Sequence, residues 1–360
     1  MSLEIVSKVI SQGYVLATHS WEFGAFAEAL LEWHNPELSV FGASPFPDGQ
    51  VPVVQVEQVE ALSYAQPHIW TNSTTLVDGD GAAGDPASLA VSAILIGQTQ
   101  PEFLSAASRQ IEHLVSAVPR WPNGAISHRE DYAELWADFV YMAPPALAYW
   151  AVQDANETLL RVAVEQCLLY RDALVVPRDD DDDGDHAAAA GLWHHIIGPR
   201  NQDLGIWSTG NAWAAAGMAR VLATARRSPW AVDLAAPLSA AIRAILDAAV
   251  ALDAAEPAEP LLRNYLDDAT WFGELSGTAL LAATAYHMAA LEPAAFAGYV
   301  AWADAKRAEV LRRIGDDGLL SPVINPLDWN DRTPGTASPE AQSFAVLMFA
   351  AHRDFYDKSC

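Results

Sequence analysis

Asp138 lies between Trp136 and the apolar run 139–143, so its carboxylate stands where a buried segment begins. Partial desolvation raises a carboxyl pKa, and a raised pKa suits an acid to donate a proton near neutral pH. A helix cap or a core hydrogen-bond acceptor is the commoner use of such an aspartate, and spacing alone favours it. Farther on, Gly191-Leu192-Trp193-His194-His195 precedes Ile206-Trp207-Ser208-Thr209-Gly210-Asn211-Ala212-Trp213. Trp193, Trp207 and Trp213 offer flat apolar faces of the kind that meet the C–H faces of sugars. In an extended segment the adjacent His194 and His195 point opposite ways, so one faces a pocket and the other does not. The competing reading makes these tryptophans core residues and these histidines ordinary hydrogen-bonding groups. Glu274 either orients a partner or, more commonly for a carboxylate at a helix start, caps the helix. The small residues Ser276, Gly277, Thr278 and Ala279 behind it allow close helix contact.

These residues fall at the starts of similar stretches. Six of them, residues 21–32, 85–97, 135–149, 207–222, 274–288 and 339–351, recur about every sixty residues, each with polar or aromatic residues before a small-residue-rich apolar run. Longer amphipathic runs such as 103–118 and 158–174 lie between them. Repeated pairing of a nearly all-apolar helix with an amphipathic one predicts a closed ring of helical hairpins, an all-α fold in one domain spanning residues 1–360. The apolar helices line the inside, and their first residues ring one mouth. Asp85-Pro86 and Ser338-Pro339 read as N-caps followed by proline at the first helical position, and Gln100-Pro101-Glu102 opens another helix. Residues 51–59 and 125–128 are the best candidates for short strands. Asp78-Gly79-Asp80-Gly81 reads as a turn, because it lacks the downstream ligands of a calcium loop. The acidic run from Arg178 to His186 reads as a solvated loop, since five adjacent carboxylates cannot converge on one ion.

The chain has 360 residues, 51% of them hydrophobic, enough for a large core. A net charge of -26 disfavours nucleic acid and long polyanions as partners, while a small anion remains acceptable beside a local cation. No run reads as a membrane span, and residues 1–12 lack the pattern of a secretory signal, so a cytoplasmic location is expected. The two cysteines, Cys167 and Cys360, suggest no structural disulfide. Metal-ligand spacings, phosphate loops and nucleophile elbows are absent from the sequence, and no cofactor is expected.

Taken in order, the segments resemble glycoside hydrolase family 105, the unsaturated rhamnogalacturonyl hydrolases, and more distantly the unsaturated glucuronyl hydrolases of family 88. Trp21-Glu22-Phe23-Gly24 is similar to that family's Trp-x-Tyr-Gly, and residues 135–142 to its Trp-x-Asp-x-x-Tyr/Phe-Met. Residues 191–195 resemble Gly-Leu-Phe/Tyr-x-His, and residues 207–213 resemble Trp-x-Arg-Gly-Asn-Gly-Trp. Residues 274–280 resemble Glu-Thr-Ser-Gly/Ala-Thr-Ala, and residues 338–342 resemble Ser-x-Glu-Gly-Gln. The resemblance implies an (α/α)6 barrel. It makes Asp138 the general acid/base that protonates C4 of a 4,5-unsaturated uronyl ring and assists water attack at C5. It also implies that Asp85 is the second catalytic aspartate, and that His128, Trp136, His195, Trp207 and Trp213 shape the substrate pocket. The expected partner is a small sugar, with neither nucleic acid nor membrane, and the protein is expected to be a monomer or weak homodimer.

One departure stands out: Ser208-Thr209 occupies the place of the family's substrate-holding arginine, and Ala212 replaces a glycine. A buried uronate without a cation is costly, so Arg129 or Arg263 is expected to supply the charge. The alternatives are a six-hairpin scaffold reused for a different, uncharged metabolite, and a non-catalytic binding protein on the same fold.

Overall fold

The computed structural model describes residues 3–177, 189–230 and 235–357. The acidic run 178–186 and Cys360 lie outside the described residues. Twelve helices carry the architecture: α1 (Leu3–Leu16), α2 (Ser20–His34), α3 (Glu60–Ala65), α4 (Ala90–Gly97), α5 (Pro101–Ser116), α6 (Phe139–Gln153), α7 (Glu157–Leu174), α8 (Ser208–Arg227), α9 (Ala235–Ala255), α10 (Leu275–Leu291), α11 (Val300–Arg312) and α12 (Pro339–Asp357). The even-numbered helices form an inner ring, in which each packs on the next and α12 returns to pack on α2. The odd-numbered helices lie outside them, completing an (α/α)6 barrel.

Residue type explains which helix goes where. Every residue of α8 from Ser208 to Ala225, and of α10 from Leu275 to Ala289, is buried, as expected for helices apolar all round. In α5, burial is confined to Phe103, Ala106, Ala107, Gln110, Ile111 and Leu114, one face at helical spacing. Small residues let the inner helices approach closely. A Cβ on Gly217 of α8 would stand 2.2 Å from the Val140 carbonyl oxygen of α6, and one on Gly24 of α2 would stand 2.1 Å from Ser88 Oγ. Gly277 likewise leaves room for Ser208, whose Oγ would be 2.6 Å from an added Cβ.

Two local expectations are corrected. Residues 51–59 form no strand: Pro52 removes a ladder donor, and Val56–Gln58 closes into a 3-10 turn. In 125–128 only Ile126 pairs, in an isolated bridge with Arg120. The strands that do form, β1 (Leu135–Trp136) and β2 (Ile196–Ile197), pair antiparallel with Trp136 opposite Ile196. Asp85 is also not an N-cap. It opens a 3-10 turn, Asp85–Leu89, that leads into α4, with Gly84 before it and no side-chain cap bond.

Candidate active site

The starts of the inner helices surround a cavity of about 150 Å3, lined by Trp21, Asp85, Asp138, Trp207 and Glu340 among others. Backbone pairing between loops sets its geometry. Ala82 bridges Arg129, and Ala83 N donates to His128 O at 2.7 Å, so the Asp85 turn and the His128 segment are fastened together. The β1–β2 pair, extended by Ala137 N donating to His195 O at 2.9 Å, brings Asp138 beside His195.

Asp85, His128 and Asp138 converge, with one donor atom from each within 4.8 Å of the others. Asp138 precedes the first residue of α6 but makes no side-chain cap bond, and its buried Oδ1 has no hydrogen-bond partner among the described residues. Neither structural use of this aspartate is therefore realised at that atom. Asp85 is buried and its Oδ1 is equally unpartnered. Burial, and then the Asp138 charge, push the Asp85 carboxyl well above the usual carboxylate range. Burial pushes the His128 imidazole down to about 4, which leaves it neutral. With His128 neutral, the 4.0 Å approach of its Nε2 to Asp85 Oδ1 is not an ion pair.

Aromatic rings wall the pocket. Trp136 stacks on His128 with centroids 4.7 Å apart and donates Nε1–H to Glu134 at 2.8 Å. Trp207 packs 4.4 Å from the His195 ring and donates to Asn264 Oδ1 at 2.9 Å. Trp213 lines the pocket floor against Tyr141, whereas Trp193 is fully buried core. His195 faces the pocket, and its neighbour His194 turns away to bond Leu204 O.

Arg129 is the only lysine or arginine that lines this pocket among the described residues. It donates to Asp80 O at 3.1 Å, and its buried Nε has no partner. Gly81, at φ +78°, lies against it, where a Cβ would stand 2.7 Å from the guanidinium. Arg263 is not the pocket's cation. It pairs with Glu256 and the Trp271 carbonyl beside a separate cavity of about 170 Å3, whose Asp253 is held by Lys306. Ser208 and Thr209, in the place of the expected arginine, donate to Glu274 Oε1 at 3.0 Å each. Glu274 also caps α10 through Ser276 N and Gly277 N. Burial outweighs these bonds and leaves its carboxyl above the ordinary value.

Several pocket residues escaped the sequence reading. Glu340, two residues into α12's cap, takes a 3.1 Å bond from Trp21 Nε1 at Oε1, while its buried Oε2 is unpartnered. Burial and then the Glu22 charge raise its carboxyl well above the usual range. Trp329, Pro326 and Leu327 come from a loop with no periodicity to mark them. Behind the wall, Glu134 accepts from Trp136 and Asn201, and Asp203 holds His195.

An inner ring of helix starts that bears acids, histidines and tryptophans at one mouth is the architecture of the six-hairpin glycosidases. The chain belongs to glycosyl hydrolase family 88, whose sequence model matches residues 60–300. Among solved structures, a possible family 105 member from Klebsiella pneumoniae superposes with a TM-score of 0.76 at 17% identity, covering 98% of this chain and 93% of that one. A family 88 hydrolase from Bacteroides vulgatus gives 0.67 at 15% identity, covering 98% of each. An unsaturated glucuronyl hydrolase specific for heparin gives 0.61 at 12%, covering 99% of this chain and 96% of that one. No curated protein matches the chain. At these identities the superpositions establish the fold.

Proposed function

We propose that this glycoside hydrolase acts on small 4,5-unsaturated uronyl saccharides, with Asp138 as general acid/base and Asp85 as the second aspartate beside it. One observation carries the reading: Asp138, with Oδ1 unpartnered, converges with Asp85 and His128 at an aromatic-walled pocket. Asp138 delivers a proton to C4 and, as a carboxylate, takes one from the water that attacks C5. The C4–C5 double bond becomes a C5 hemiketal and Asp138 regains its proton. The hemiketal opens by breaking the bond from C5 to the ring oxygen. C1 then becomes an aldehyde and the aglycone leaves as an alcohol. One molecule of water is consumed, and a single acid/base suffices, unlike the two-carboxylate displacement of ordinary glycosidases. Arg129 supplies the cation for the uronate carboxylate, with its unpartnered Nε available to bond it.

A second reading, an uncharged ligand, draws support from Ser208 and Thr209, which spend their hydroxyls on Glu274. The deciding experiment incubates the protein with an unsaturated galacturonyl-rhamnose disaccharide and follows loss of the conjugated bond's ultraviolet absorbance. The expected result is loss of absorbance that falls by about 10³-fold in Asp138→Asn. Full activity in Asp138→Asn overturns the assignment. No turnover by the folded wild type on this and other unsaturated uronides favours the uncharged ligand.

A further inference from the structure

We propose that Asp203 is the positioning residue that fixes the tautomer of His195, with Tyr265 holding Asp203 in register. Nothing in the motifs marks Asp203, which lies outside the pocket, half-buried, on the loop that follows β2. It is nevertheless tied down on every side. Its backbone exchanges two hydrogen bonds with Ile196, at 2.8 and 3.0 Å, so β2 carries it. Oδ1 accepts from Gly205 N at 3.0 Å. Oδ2 accepts from the Tyr265 hydroxyl and from His195 Nδ1, the latter at 2.9 Å. Burial opposes its charge, but the bonds from His195 and Tyr265 hold the Asp203 carboxyl below its ordinary value.

A carboxylate only accepts, so the hydrogen must sit on His195 Nδ1. In the neutral ring, Nε2 is then a bare acceptor. The ring is penned between Trp136, Trp207 and Trp329, with centroids 5.9, 4.4 and 5.2 Å away, so it cannot turn to exchange its nitrogens. The arrangement leaves Nε2 to accept from a substrate hydroxyl or from the attacking water. Asp203 does not touch substrate; it decides whether His195 accepts or donates.

Asp203→Asn tests this with a defined outcome. The Gly205 N–H demands the amide oxygen at the Oδ1 place, which puts the NH2 toward His195. Tyr265 can turn its hydroxyl to accept. Nδ1 must then accept too, and the hydrogen moves to Nε2, so the pocket loses its acceptor. Tyr265→Phe removes one donor to Asp203 and leaves the tautomer alone. The first measurement is a long-range proton–nitrogen spectrum of the full chain labelled in its ten histidines, with His195 identified by its loss in His195→Gln. The expected spectrum shows hydrogen on Nδ1 in the wild type and Tyr265→Phe, and on Nε2 in Asp203→Asn. Hydrogen on Nε2 in the wild type, or the same tautomer in Asp203→Asn, overturns the proposal. The wild-type spectrum alone decides if Asp203→Asn fails to fold.

The second measurement rests on the hydrolase reading above. Asp203→Asn is expected to lower kcat/KM by about 100-fold and Tyr265→Phe by less than about threefold. Asp203→Asn within threefold of a robustly active wild type also overturns the proposal. A wild type that hydrolyses nothing breaks the hydrolase reading instead, and the spectrum still tests the tautomer.

Discussion

The barrel buries carboxylates in two places and treats them differently. Deep in the ring, Arg220 of α8 reaches Glu28 and Glu32 of α2 at 2.9 and 2.6 Å, and His287 of α10 approaches Glu32 at 3.1 Å. Burial opposes the charge on Glu32, yet Arg220 and His287 hold its carboxyl below the ordinary value. At the mouth, Asp85, Asp138 and Glu340 each keep an oxygen with no partner. Different inner helices supply the two sets: Glu28 and Glu32 lie within α2, whereas Asp85 and Asp138 precede α4 and α6 and Glu340 begins α12. A buried acid whose oxygens are bonded is part of the scaffold. A buried acid left unbonded costs stability and is available to react.

The sharpest way to break this comparison is to remove Arg220. Arg220→Met strands Glu28 and Glu32, and is expected to cost about 3–5 kcal/mol in urea unfolding. A cost below about 1 kcal/mol would mean that the deep cluster is no more structural than the mouth. Next in size, Arg129→Met is expected to raise KM for an unsaturated uronide about 10- to 100-fold with little change in kcat, because it removes one charge-assisted contact. A fall in kcat at constant KM would place Arg129 in proton transfer rather than in binding.

A smaller effect separates the two ends by pH. Asp85 and Glu340 have raised folded pKa values, so the native state binds more protons than the unfolded chain. Stability is therefore lost as pH rises from the ordinary carboxylate range toward the raised values. The double variant Asp85→Asn with Glu340→Gln should make that slope shallower, Glu28 and Glu274 with their raised carboxyls carrying the rest, and gain about 1 kcal/mol at pH 8, while hydrolysis is lost. Urea midpoints at pH 5 and 8 check it, and an unchanged slope would mean that neither acid carries it. The smallest effect is salt. With a net charge of -26, thermal midpoints should rise by a few degrees between about 0.05 and 0.5 M sodium chloride as self-repulsion is screened. Arg220→Met should show the same rise, since its desolvated cluster is screened little.

The helical scaffold was legible because its signals are local. Apolar runs beginning at Pro86 and Pro339, and the one-sided pattern of 103–118, mark inner and outer helices without tertiary information. That Asp138, His128 and His195 share one pocket was legible through motif order, and Arg129 was one of two arginines expected as its cation. Apart from Glu340 in α12, what escaped lies in loops. Trp329 sits in an aperiodic stretch, and Asp203 and Tyr265 meet across 62 residues. The residues 51–59 misled because alternating valines fit a strand until Pro52 and the absence of a partner strand count against it. Asp85 misled because Asp-Pro is a common cap pair, yet the chain there takes a 3-10 turn that frees the carboxylate from the helix.

All the inner helices begin at the mouth, and that shared polarity has an electrical result. Each helix start presents unpaired N–H groups equivalent to roughly half a positive elementary charge. Glu274 spends itself neutralising one of them at α10, and Ser338 caps another at α12. Asp138 and Asp85 make no such cap, so the dipoles of α6 and of the Asp85 turn are left pointing at the pocket. An anion approaching this very acidic protein is repelled over most of its surface, and at the barrel's mouth the uncapped N–H groups of α6 together with Arg129 offset part of that repulsion. The orientation of the scaffold thus favours this end of the barrel for the uronate proposed above.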